Sequence, residues 1–146
     1  MATYRERLIG TWRLVSFEAK GKDGQVYYPM GQGLVGMLFY APDGHMSVQL
    51  MSPARPQFAS PAYGAGDDAD WAKAARGYFA YAGRFTVDEA KPEVTHHVEM
   101  ALNSYWTGRP QTRRIRLDGD DLELSGASPT KSGEIDTAYV RWRRAS

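Results

Sequence analysis

Residues 34–51 read LVGMLFYAPDGHMSVQLM, and no other stretch constrains the fold as strongly. Two arms rich in apolar, aromatic and β-branched residues flank Ala41-Pro42-Asp43-Gly44, where proline pre-sets one turn angle and glycine accepts a positive φ. The stretch predicts strand, turn and strand over 34–51. The same pattern recurs downstream. QTRRIRLDGDDLELSG predicts a hairpin turning at Asp118-Gly119-Asp120, GRFTVDEAKPEVTHHVEMALN predicts two strands around Lys91-Pro92, and DTAYVRWRR predicts a final strand. Near the start, the alternation from Trp12 to Phe17 puts Trp12, Leu14 and Ser16 on one face and Arg13, Val15 and Phe17 on the other. GKDGQ turns that strand, and VYYP begins a second piece that Pro29 confines to an edge.

Helical signals are few. TYRERLI, residues 3–9, has Thr3 as a cap with Glu6 three positions on, which predicts a short N-terminal helix. DDADWAKAARGYFAYAG has acidic caps, an alanine-rich centre, and Trp71, Ala74, Ala75 and Tyr78 at helical spacing, predicting one inserted helix near residues 68–80. Between them SPARPQFASPAYGAG, residues 52–66, is too irregular for an element and too long for a hairpin loop, the profile of a functional loop. About nine strands joined mostly by tight turns make the chain all-β. They favour a single up-and-down antiparallel β-barrel of about 8–10 strands over a sandwich. At 146 residues the barrel is expected to occupy one domain, 1–146.

Composition narrows the partners. Eighteen Lys and Arg against seventeen Asp and Glu leave a net charge of +1, which gives no global field for nucleic acid or an acidic membrane. The absence of cysteine excludes disulfides and thiolate metal sites. The N-terminus carries charges where a signal peptide needs an apolar core, and no apolar run is long enough to span a bilayer. The expectation is a soluble, cytoplasmic protein with no nucleic-acid partner and no membrane span, leaving a homodimer open.

GTWRLVSFE resembles the opening of the calycins, the lipocalin and fatty-acid-binding group. Together with GMLFYAPDGHMSVQLM, GYFAYAGRFTVDE, VTHHVEMALNSYWTGRPQTRRIRLDGDDLELS and VRWRR, in that order, the chain resembles the bacterial lipocalin-like domain family over most of residues 8–144. The resemblance implies an eight-to-ten-stranded barrel with an interior cavity. It further implies that Trp12 plugs the closed end and that Arg144 stacks on it, with Arg141 and Arg143 on the same strand as competitors. No activity comes with the resemblance.

Candidate site residues follow from spacing. His96 and His97 are adjacent, so on a strand they point to opposite faces and cannot chelate one metal together. His97 and Glu99 do share a face. With His45 they make only a weak zinc pattern, so neither a metal nor a cofactor is expected. The sharper reading groups His97, Glu99 and Arg113 at the cavity as proton carrier, orienting carboxylate and anion holder, against a plain alternative of a cross-strand ion pair. His45, Ser47 and Gln49 share one face of their strand, while Met46, Val48 and Leu50 share the other, and one set must line the lumen. Tyr78, Phe79 and Tyr81, with Trp71 and Trp106, are read as an aromatic collar at the mouth, against a plain alternative of core packing. The expected ligand contacts are thus Tyr40, Ser47, Gln49, Tyr78, Tyr81, His97, Glu99, Trp106 and Arg113.

No Gly-x-Ser-x-Gly elbow or phosphate cradle occurs, and GQGLVG precedes a strand where a dinucleotide fingerprint would link strand to helix. The best reading is non-covalent binding of a small, largely hydrophobic molecule beneath the 52–82 segment. The alternatives are a cofactor-independent isomerase, cyclase or hydratase acting through His97, Glu99 and Arg113, and a solid barrel whose outer surface makes protein contacts.

Overall fold

A computed structural model describes residues 1–146. In chain order the elements are α1 (Tyr4–Leu8), β1 (Gly10–Lys20), β2 (Val26–Tyr27), β3 (Val35–Tyr40), β4 (His45–Met51), α2 (Asp68–Arg76), β5 (Tyr78–Asp88), β6 (Glu93–Ala101), a 3₁₀ turn (Ser104–Trp106), β7 (Pro110–Asp118), β8 (Asp121–Pro129) and β9 (Ile135–Arg144). All pairings are antiparallel between neighbours, from β3 round to β9, and β9 pairs back onto β1. Eight strands therefore close into a barrel. The two-residue β2 is extra, pairing only with Ala19 and Lys20 at the far end of β1.

Strand β1 serves both sides of the seam. Its first residues, Gly10–Arg13, pair with β3, while Trp12–Lys20 pair with β9 from Arg144 to Thr137. The register slips between Leu14 and Ser16, a bulge at Val15. An extra residue in one strand reverses the inside–outside parity beyond it. Trp12 and Ala19 are accordingly both fully buried, and Phe17 faces the lumen although simple alternation sets it opposite Trp12.

The closed end is built around Trp12. Its indole Nε1 donates to the Leu8 carbonyl at 2.9 Å, which fastens α1 across the barrel floor. Arg144 is the arginine that stacks on the ring, with Cζ 4.2 Å from the centroid. The same guanidinium donates to the Ile9 carbonyl at 2.9 Å and to the Arg7 carbonyl. Gly10 makes this approach feasible: its φ is +134°, and a Cβ there would meet Arg144 Nη1 at 2.7 Å and the Ser146 carbonyl at 2.5 Å. From the opposite side, Glu89 in the β5–β6 turn accepts from the Tyr4 and Arg5 amides at 2.8 and 3.1 Å, capping α1 with a carboxylate. The other two arginines of the last strand point outward into ion pairs, Arg141 with Glu18 and Glu123 and Arg143 with Asp121.

The inserted helix is shorter than its sequence periodicity predicts. Asp67 and Asp70 form a capping box at its start. It stops at Arg76, and the Gly77 carbonyl accepts from the Ser52 amide at 2.7 Å, so Tyr78 already belongs to β5, paired with Met51. Trp71 is half exposed and packs edge-on against Phe58 at 4.8 Å, with Nε1 donating to the Ala65 carbonyl. The 52–66 loop and α2 thus share a small cluster of their own outside the barrel.

Removing the plug has a defined cost. Trp12→Ala is expected to lower unfolding stability by about 3–5 kcal/mol, in the range for emptying a buried aromatic site. Arg144→Lys, which keeps charge and loses the planar stack, is expected to cost about 1–2 kcal/mol. Urea unfolding of the two variants checks both values and their order.

Candidate ligand cavity

Inward residues fill the barrel unevenly. Trp12, Met46, Phe85, Val94, Ile115 and Leu122 pack the plugged half solidly, and none of them lines open space above. Beyond them lies a cavity of about 270 Å³, so the interior is not packed solid. Its walls are mainly Phe17, Leu38, Val48, Leu50, Leu124 and Val140, and the small Ala127 and Ala138 open the β8–β9 side. Pro29 and Met30, from the connection after β2, and Phe79 and Trp106 complete the wall. Phe79, Tyr81 and Trp106 contact one another edge-on or tilted, with centroids 5.4–5.9 Å apart. Neither α2 nor the 52–66 loop borders this cavity. The end of α2 borders a neighbouring groove of about 350 Å³ that shares Met30, Phe79, Tyr81 and Trp106 with it.

Between the solid half and the cavity lies a polar layer. His96 is 2 % exposed, and both ring nitrogens are engaged: Nε2 with the Tyr40 hydroxyl at 2.6 Å and Nδ1 with the Tyr81 hydroxyl at 2.5 Å. His96 and Tyr81 border the cavity, whereas Tyr40 lies behind them, edge-on to Phe85 at 4.7 Å. Burial, reinforced by the Arg113 charge and His97, pushes the His96 pKa down to about 3, so the ring is neutral. A neutral imidazole donates from one nitrogen and accepts at the other. Tyr40 is buried and its hydroxyl has no acceptor besides His96 Nε2, so Tyr40 donates there. Nδ1 then carries the proton and donates to Tyr81. The Tyr81 O–H is left free to donate into the cavity. Burial raises the Tyr81 pKa to about 12, against an opposing pull from Arg113, so this donor stays protonated.

Arg113 is the one charged side chain on the cavity wall. It reaches inward from β7, with Nη1 donating to the Thr112 carbonyl at 2.9 Å and Nη2 to Gln111 Oε1 at 3.2 Å. Trp142 borders the cavity too, and its Nε1 is buried without a partner. The polar equipment is therefore donor-rich. Tyr81, Arg113, Trp142 and the Ser128 hydroxyl can all donate, and no Asp or Glu faces the space.

The candidate residues divide clearly. Tyr81, Trp106 and Arg113 line the cavity, and Tyr40 supports it from behind. His97 and Glu99 lie on the outer face, where His97 Nε2 meets Thr86 Oγ1 at 2.8 Å. The structure therefore does not bring the His97, Glu99 and Arg113 group together. Ser47 and Gln49 also face outward, because Met46, Val48 and Leu50 are the buried set of β4, and the Tyr78 hydroxyl donates to Gln49 outside the barrel. His45 pairs with Asp43 at the turn. No group of three or more His, Cys, Asp or Glu residues is placed to hold a metal. His96 has a sequence signal, since it alternates with Val94 and Val98, whose apolar face must be the inner one. Phe17 has none, because the bulge that turns it inward leaves no mark in composition.

His96 links the site to stability. The unfolded chain binds a proton on this ring below about pH 6.5 while the folded chain refuses it down to about pH 3. Its contribution is thus present above pH 6.5 and is lost as pH falls through that window, with a slope of up to about 1.4 kcal/mol per pH unit. Unfolding free energies from pH 7 to pH 4 are expected to fall more steeply for the wild type than for His96→Gln.

Comparisons with known proteins agree with this architecture. A family model described as a lipocalin-like domain matches residues 9–145. The chain is also 41 % identical over 106 residues to 4'-hydroxy-3'-methoxypropiophenone carrier protein ppsC of Aspergillus oryzae (strain ATCC 42149 / RIB 40), covering 68 % of this chain and 96 % of that protein.

Proposed function

We propose that this chain, which belongs to the lipocalin-like domain family, is a non-covalent carrier of a small aromatic molecule that bears carbonyl and hydroxyl oxygens. The observation that carries the reading is the apolar cavity of about 270 Å³ whose wall carries a few hydrogen-bond donors, Tyr81 and Arg113 among them. Specific small-molecule sites take this form, an apolar wall for affinity with a few polar groups for orientation. Ligand pockets commonly span about 300–1,000 Å³, so this one suits a single-ring compound better than a long-chain lipid. The relative's name supplies a matching chemistry: an aryl ketone with one hydroxyl and one methoxy group on the ring.

In this reading the ring packs between the aliphatic walls and the Phe79–Trp106 pair. A ligand oxygen accepts from Tyr81, which the Tyr40–His96 chain holds in orientation, and Arg113 serves a second acceptor. Acid–base turnover at His97 with Glu99 and Arg113 lacks support, because only Arg113 reaches the cavity. His96 makes a poor general base, held neutral with both nitrogens already bonded.

A thermal-shift titration with 4'-hydroxy-3'-methoxypropiophenone tests the proposal. Ligand at about 100-fold over Kd adds about 2.7 kcal/mol, expected to raise Tm by about 5–10 °C in a chain of this size. Tyr81→Phe is expected to weaken binding about tenfold, as loss of one buried hydrogen bond to a ligand does. His97→Ala should bind like the wild type. A Tm unmoved by this ketone and by its simpler phenyl ketone analogues would contradict the carrier reading.

A further inference from the structure

The cavity wall carries one full charge, Arg113, and no carboxylate to balance it. Three titratable groups border the cavity: Tyr81 on β5, His96 on β6 and Arg113 on β7, with Tyr40 on β3 behind them. β1, β4, β8 and β9 contribute no titratable group to the wall, and neither do the Pro29–Met30 segment or Trp106. The ion pairs of the chain join Arg141 to Glu18 and Glu123, Arg143 to Asp121, and Arg144 to Asp120, and His45 lies against Asp43. Arg113 takes part in none of them. Its two hydrogen bonds go to neutral acceptors, a carbonyl and an amide.

The fold makes room for this cation. Arg113 lies across Gly126 of the adjoining strand, where a Cβ would meet its Cδ at 2.9 Å and Nη1 at 3.0 Å. A guanidinium held against an apolar cavity and away from carboxylates favours an anion in that cavity, because a partly desolvated charge gains most from an opposite charge placed beside it. Tyr81 on the same cavity wall is a donor as well, and donors stabilise an anionic oxygen more than a neutral one.

We infer that the cavity takes its hydroxyaryl ketone as the phenolate, with Arg113 as the counter-cation and the Tyr81 hydroxyl as a second donor. The inference rests on the carrier reading above and adds the charge state of the ligand. A hydroxyl para to an acyl group is suited to this role. Its conjugate base spreads charge through the ring onto the ketone oxygen, so it ionises more readily than a tyrosine side chain. Binding then transfers a proton from the ligand hydroxyl to solvent, and no protein group changes its protonation.

The experiment is an absorbance titration of wild-type protein with 4'-hydroxy-3'-methoxypropiophenone, at a pH one to two units below the free ligand's own ionisation. 3',4'-Dimethoxypropiophenone, which cannot ionise, is run beside it. The long-wavelength phenolate band is expected to appear on binding, although the free ligand is neutral at that pH. Affinity should fall about tenfold per pH unit below the ligand's ionisation, since one proton is released on binding. The dimethoxy compound should bind at least tenfold more weakly. Arg113→Met should bind the phenol without the band, and Arg113→Lys should restore it. A bound ligand that keeps its neutral spectrum, with affinity independent of pH, would overturn the inference while leaving the carrier reading intact. Failure of both ketones to bind would overturn the two together.

Discussion

Pairing of β1 with β9 governs everything else in this molecule. Without that seam, Trp12 and Arg144 remain at opposite ends of the chain, and neither the plug nor the enclosed space exists. The seam is secured at its lower end by the indole–guanidinium stack and the Arg7 and Ile9 carbonyls, and along its outer face by Arg141 bridging Glu18 and Glu123. Because β1 bulges at Val15, one strand contributes Trp12 to the solid floor and Phe17 to the open cavity. The bulge thus lets a single strand serve a plug and a binding wall.

Above the floor, the Tyr40–His96–Tyr81 layer separates packing from binding. An isolated polar group in such a place would be costly, but here each ring nitrogen of His96 meets a hydroxyl. Desolvation fixes the imidazole as neutral, and the buried position of Tyr40 sets the direction of the chain of hydrogen bonds. One donor is left over, and it belongs to Tyr81 at the cavity wall. The polarity of the candidate site therefore follows from accounting for protons in the layer beneath it. Arg113 adds charge from the next strand but one.

The sequence made the architecture legible wherever turns and alternation coincide. The 34–51 hairpin, the turn at Asp118-Gly119-Asp120 and the strands either side of Lys91-Pro92 all appear in the barrel. The site was harder to read, for reasons of parity. Adjacent histidines face opposite ways, and only the apolar flanks Val94 and Val98 identify His96 as the inner one. On β4 the buried set is Met46, Val48 and Leu50, so the polar residues Ser47 and Gln49, attractive as ligand contacts, face outward. The helical spacing of Trp71 and Tyr78 also misleads, because the chain leaves α2 at Gly77 and enters a strand whose pairing with β4 overrides local propensity. Bulges and helix ends set by tertiary pairing carry little mark in the residues themselves.

The central claim is that a small aromatic ligand occupies the interior above the His96 layer. Methyl-labelled protein saturated with 4'-hydroxy-3'-methoxypropiophenone tests it most directly by intermolecular nuclear Overhauser effects. The account predicts contacts from the ligand ring to the inward methyls of Val48, Leu50, Leu124 and Val140, all on the cavity wall. Contacts confined to exposed methyls such as Val15, Val26 and Val35, with none to the inward set, would contradict it.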